Sequence, residues 1–217
     1  MKFYRENWYS IGGILFVILT FYMGLCENNF SHVQVILIYS FMALLVHQFE
    51  EYVCPGGFPG IFNIAVNEEK QVPDRYPLNA NLSMIINVFI AYPFYIIAIF
   101  FPNLFWLGIA QVLFGTYQII IHGVVINRKL KNIYNPGLAS AVFLHLPIAI
   151  YYCRYVSINH LASTGDFIIG VVVSILFALI SIAVPIRLLR NRNSKYPFIE
   201  SRMYRYAKEK VLKIKNS

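Results

Sequence analysis

Six long apolar runs, separated by short polar links, leave few architectures open to this chain of 217 residues. They cover about residues 8–25, 32–53, 80–101, 104–127, 137–156 and 167–189. A run of about 20 residues with almost no charge spans a bilayer as a helix. Hydrocarbon offers the backbone no partner, so the helix must satisfy its own N–H and C=O groups. The prediction is therefore an all-α, polytopic transmembrane bundle of six helices. It forms one domain over residues 1–190, and a basic, amphipathic tail occupies 191–217. Composition agrees: 13% of the residues are charged, against about a quarter in a soluble domain.

The links fix an expected orientation. Lys2 and Arg5 precede the first run, and Lys70 and Arg75 follow the second. Arg128, Lys129 and Lys131 follow the fourth, and the tail is rich in both residue types. The links after the first and third runs have no Lys or Arg, and near the end of the fifth there is only Arg154. Basic residues favour the cytoplasmic side, so both termini are expected there. The formal net charge of +8 lies at membrane edges and in the tail. It points to anionic lipid headgroups rather than nucleic acid. The three cysteines, Cys26, Cys54 and Cys153, lack metal-binding spacing.

Within the second run stands His47-Gln48-Phe49-Glu50-Glu51. An ionisable residue at membrane depth costs about 2.5–3.5 kcal/mol on insertion scales, which marks it for function. At about 100° per residue, His47, Glu50 and Glu51 share one helix face, where they can converge on a metal ion or a proton path. Cys54-Pro-Gly-Gly-Phe-Pro-Gly60 then ends the helix. It opens a loop of about 26 residues, to Asn79, that contains Asn63. Loops that long are often functional.

Other runs carry polar residues at a matching depth. The third has Asn87 and a kink candidate, Pro93. The fourth has a narrow seam of Gln111, Gln118 and His122, and the fifth has His145. Counted from the run ends at 1.5 Å per residue, His47, His122, His145 and Asn87 fall roughly 7–12 Å inside the cytoplasmic boundary. Four helices thus place polar groups in one slab, which the Cys54–Asn79 loop is expected to cap.

His and carboxylate groups together suit zinc or a similar divalent ion. H-x-x-E-E has the spacing of the inverted zinc-protease motif, with Glu for the second His. On that analogy His47 and Glu51 are ligands and Glu50 is the general base. His122 is the first choice for a further ligand and His145 the second. Asn87, Gln118 and Asn63 serve as polar support for a substrate. The reading is a metal-dependent hydrolase acting on a lipid or lipophilic small molecule. A metal-free acid–base isomerase using the same residues is the alternative. An ion- or proton-coupled carrier ranks third, because the chain shows no internal repeat.

The chain also resembles the HXXEE family of small bacterial integral membrane proteins. The resemblance rests on His47-Gln48-Phe49-Glu50-Glu51, on Pro55-Gly-Gly-Phe-Pro59 with Asn63, on His122, and on Tyr134-Asn135-Pro136-Gly137. It covers roughly residues 40–150. It implies a membrane protein of bacterial origin built around a shared site, sited in the cell membrane, and it names no substrate. Intramembrane prenyl-protein proteases also pair two glutamates with distant histidines. They place an Arg four residues after the second Glu, where this chain has Pro55.

Overall fold

The computed structural model describes residues 1–26 and 29–216. The link expected between the first two spans falls partly on residues 27 and 28, outside the described residues. The described chain is helical, with no strand. Six helices are long and apolar enough to cross a membrane: α1 (Lys2–Cys26), α2 (His32–Tyr52), α3 (Ala80–Phe100), α4 (Phe105–Leu130), α5 (Leu138–Ile158) and α6 (Thr164–Leu189). Each apolar run becomes one helix. The largest departure from the sequence reading is the start of α1, which begins at Lys2 rather than near Trp8.

The bundle is arranged around α2. It packs against α1, α3, α4 and α5, and 67% of its apolar window is buried, against 17% for α1 and for α6. Ionisable groups of a spanning helix turn away from lipid toward the protein interior, and this helix carries the His/Glu motif there. Ser31 starts α2 with a capping box: its hydroxyl accepts from the Gln34 N–H, and the Gln34 side chain accepts from the Ser31 N–H at 3.1 Å. The helix ends at Tyr52, just ahead of Cys54-Pro55-Gly56-Gly57. Gly56 and Gly57 adopt φ of 71° and 101°, values that favour glycine.

The segment after α2 is more ordered than a polar loop. It forms a short helix over residues 58–66. Asn63 closes the rest of it, donating to the Pro73 and Leu78 carbonyls at 2.7 and 2.8 Å and accepting from the Leu78 N–H at 3.1 Å. The tail folds back onto this short helix. Val211 is buried in one cluster with Ile61, Ile64, Ile126 and Leu130, and the Tyr206 N–H donates to the Gly56 carbonyl at 3.2 Å. Met203 and Val211 of the tail are thus buried against the rest of the protein.

Five segments among the described residues are π-helical, and each holds a polar residue singled out by sequence or by the site: Asn63 (Ile61–Val66), Asn87 (Ile85–Ala91), His122 (Ile119–Ile126), His145 (Ala141–His145) and Ser181 (Leu179–Ala183). Three of them end two residues before a proline, at Pro93, Pro147 and Pro185. Proline lacks an N–H and crowds the carbonyl four residues earlier, and a widened turn relieves that crowding. Such turns are rare and concentrate at functional sites.

Candidate functional site

His47 and Glu51 lie one turn apart on α2, and His122 reaches them from α4. Nε2 of His47 stands 3.7 Å from Glu51 Oε1, and Nε2 of His122 stands 3.4 Å from the same oxygen. One ligand atom from each of the three residues lies within 4.8 Å of the others, and all three residues are buried. Two ligands about 2.0–2.1 Å from a tetrahedral zinc ion stand about 3.4 Å apart. The two His–Glu51 separations are close to that.

The hydrogen bonds behind the imidazoles decide which nitrogens face the centre. Asn127 donates from Nδ2 to the Ile133 carbonyl at 2.9 Å, so its Oδ1 is free to accept. Asn135 Nδ2 donates to that Oδ1 at 2.8 Å and to the His122 carbonyl at 2.7 Å. Asn135 Oδ1 is then the atom 2.6 Å from His122 Nδ1. That nitrogen must carry a proton, so in the neutral ring the lone pair lies on Nε2. The same logic holds for His47. Its Nδ1 lies 3.0 Å from Ser140 Oγ. The Ser140 hydroxyl itself faces two acceptors, Glu50 Oε2 at 2.5 Å and the Gly137 carbonyl at 3.2 Å. His47 Nδ1 therefore donates to Ser140, and its Nε2 also presents a lone pair. Partners of this kind fix ring orientation at metal sites.

With both rings neutral, three acceptors converge with no donor between them. His122 Nε2 has no hydrogen-bond partner, and among the described residues no hydrogen bond reaches the Glu51 carboxylate. Such an arrangement is repulsive in a buried setting unless a positive charge joins it. A divalent cation satisfies all three groups. A proton on one imidazole satisfies one contact, and both separations exceed the usual 2.7–3.2 Å of an N–H···O bond.

Glycines give the histidines their seats. A Cβ on Gly137, whose φ is +107°, would lie 2.3 Å from His122 Cε1; a Cβ on Gly115 would lie 2.2 Å from His145 Nδ1. His145 is buried with neither ring nitrogen hydrogen-bonded, and its ring centroid is 5.7 Å from that of His47. It borders the trio without being one of its members.

Glu50 is placed differently from what a shared face with Glu51 would give. Its carboxylate accepts from the Tyr134 hydroxyl at 2.8 Å, the Ala139 N–H at 3.1 Å, the Ser140 N–H at 2.8 Å and the Ser140 hydroxyl at 2.5 Å. It thereby caps the N-terminal end of α5, where a negative charge also suits the helix dipole. Burial first, and then the Glu50 carboxylate, raise the Tyr134 hydroxyl above its usual pKa, so it remains a donor. Glu50 reaches the trio through Ser140 and His47, as a positioning group. The general-base role read for it from spacing is not what these contacts favour.

A cavity of about 140 Å³ adjoins the trio. His47, Glu51, Asn87, Gln118 and Ser181 supply its polar wall, and Phe58, Phe62, Ile86, Phe114, Ile182 and others its apolar one. The Asn87 side chain is already engaged, donating to the Ser83 carbonyl at 2.9 Å and accepting from Gln48 at 3.2 Å. Asn63 is absent from the lining and spends its polar atoms closing the loop. Ser181 was missed in the sequence because α6 reads as a plain apolar span. Its hydroxyl is buried, without a hydrogen bond, on the cavity wall. Asn135 and Ser140 also escaped a role in the sequence reading, although Asn135 stands in the quoted Tyr134–Gly137 stretch. The three cysteines are free.

No curated protein and no solved structure matches the chain. The family described as "Protein of unknown function with HXXEE motif" matches residues 38–152, more than half of the chain, and takes in every residue of the trio and its orienting partners. The chain belongs to that HXXEE-motif family.

Proposed function

For this HXXEE-motif protein we propose a metal-dependent hydrolase of the bacterial cell membrane, with both termini cytoplasmic, acting on a lipid or lipophilic small molecule. His47, Glu51 and His122 would hold the ion, zinc being the best suited to two imidazoles and a carboxylate. The observation that carries the reading is the convergence of three buried acceptors, two of them fixed as lone pairs by Asn135 and Ser140.

A bound ion of this kind supplies Lewis acidity, polarising a carbonyl or phosphoryl oxygen and making water a usable nucleophile near neutral pH. The chain's own residues do the rest. Asn135 holds His122, and Ser140, itself held by Glu50, holds His47. The apolar wall takes the lipophilic body of a substrate, and Phe58 and Phe62 of the short helix limit access of water. Gln118 and Ser181 offer hydrogen bonds to its polar part, with Asn87 beside them. His145, which touches the trio with both nitrogens unengaged, is the remaining candidate for proton transfer.

The test is hydrolysis of a panel of fluorogenic acyl-ester, amide and phosphodiester amphiphiles by purified protein in detergent. The expected result is turnover of at least one class that chelation abolishes, zinc restores and Glu51→Gln lacks. Turnover that survives chelation, or an unreactive panel with fully zinc-loaded protein, would count against a metal hydrolase. It would favour the acid–base reading of the same residues.

A further inference from the structure

Away from the His/Glu trio, two segments far apart in sequence build a basic pocket at one end of the bundle. Lys129 and Lys131 come from the last turn of α4 and the residue after it. Lys210 and Lys213 come from the tail helix Lys208–Asn216. Together with Leu130 and Ile214 they line a groove of about 340 Å³. The two walls are tied rather than merely adjacent. Val211 is fully buried in one cluster with Ile61, Ile64, Ile126 and Leu130, and Lys210 Nζ donates to the Lys131 carbonyl at 3.1 Å.

Four ammonium groups held around one groove repel one another unless an anion joins them. Glu68 answers one of them, pairing with Lys129 at 2.7 Å, and three positive charges remain. We infer that the Lys129–Lys131–Lys210–Lys213 groove binds the phosphate-bearing headgroup of an anionic membrane lipid. Two features favour a lipid over free phosphate. The groove sits at the end of a membrane-spanning helix, where headgroups lie. Its lining includes apolar Leu130 and Ile214, which suit a glycerol backbone better than water. The site is separate from the cavity at the trio, so the inference does not depend on the hydrolase reading.

The test uses the full chain in detergent, titrated with phosphatidylglycerol and with phosphatidylcholine, and bound lipid counted by native mass spectrometry. One double variant is Lys131→Gln with Lys213→Gln. Its control, Lys2→Gln with Lys195→Gln, removes the same charge elsewhere on the surface. A partly exposed lysine in direct contact with the headgroup phosphate is worth up to about fivefold in binding, so the pocket pair should weaken phosphatidylglycerol by up to about 25-fold. The control should stay within about twofold of the wild type, and phosphatidylcholine should bind weakly throughout. Equal weakening in both double variants would mean a diffuse surface field and would overturn the site. So would unchanged binding in the pocket pair. Complete displacement of phosphatidylglycerol by millimolar inorganic phosphate would make free phosphate the ligand and overturn the lipid assignment.

Discussion

On one flank of α2 the Glu50 carboxylate accepts four hydrogen bonds from Tyr134, Ala139 and Ser140. On the other flank Glu51 accepts none among the described residues and faces two imidazole nitrogens whose lone pairs point at it. The two residues are adjacent, chemically identical and similarly buried, so the difference lies in what surrounds each. A buried carboxylate given donors on every side is a structural tie. One given acceptors is half of a cation site. The flanks are also linked, because the Ser140 hydroxyl donates to Glu50 and accepts from His47. The structural side thus holds one ligand of the other side in place.

The largest effect expected from this contrast is on stability, and it belongs to Glu50. Glu50→Ala would leave the Tyr134 hydroxyl and the Ala139 and Ser140 N–H groups without their acceptor, each costing about 1–3 kcal/mol if no water replaces the carboxylate, while the Ser140 hydroxyl keeps the Gly137 carbonyl. A loss of about 3 kcal/mol or more in unfolding free energy is expected, read by thermal unfolding in detergent. A loss under about 1 kcal/mol would erase the distinction between the flanks. Next comes His122→Ala, which removes a ligand and should weaken zinc binding by on the order of 100-fold or more, beyond the 10–100-fold that outer partners carry. Competition with a chelating dye measures it, and an unchanged affinity would remove His122 from the ligand set. Asn135→Ala keeps every ligand but releases the His122 ring, so about 10–100-fold is expected in the same assay. An effect equal to that of His122→Ala would mean that Asn135 does more than orient. The smallest effect is on the stability of Glu51→Gln. Replacing a charge that no donor satisfies should leave the metal-free fold within about 1 kcal/mol of the wild type, or raise its stability. A large loss would show that Glu51, too, is a structural tie.

Much of this was readable from the chain. The six spans follow from apolar run length alone, and depth counted from run ends placed His47, His122, His145 and Asn87 together. The structure brings the three imidazoles within contact, with ring centroids 5.0 Å apart for His47 and His122 and 5.7 Å for His47 and His145. Helical periodicity could not separate Glu50 from Glu51. Both lie near the His47 face, and their fates depend on Ser140 and Tyr134, more than 80 residues away in sequence. The seats under the histidines were equally hidden, since a glycine reveals what it makes room for only once the facing helix is in place. The contacts of the tail were hidden for a related reason. A basic, amphipathic segment does not say what its apolar residues meet, and only the position of Ile61, Ile64 and Leu130 shows that Val211 packs on protein. One signal was used only at Pro93, read as a kink candidate: Pro93, Pro147 and Pro185 each follow a widened turn that holds Asn87, His145 or Ser181.

The most direct test of the central claim is elemental analysis of the purified protein, prepared without chelator and reloaded with zinc, with Glu51→Gln and Glu50→Gln alongside. The account predicts about one equivalent of transition metal per chain in the wild type, most of it retained in the folded fraction of Glu50→Gln, and none in Glu51→Gln. Wild-type protein that takes up no metal, or Glu51→Gln that holds as much as the wild type, would contradict it.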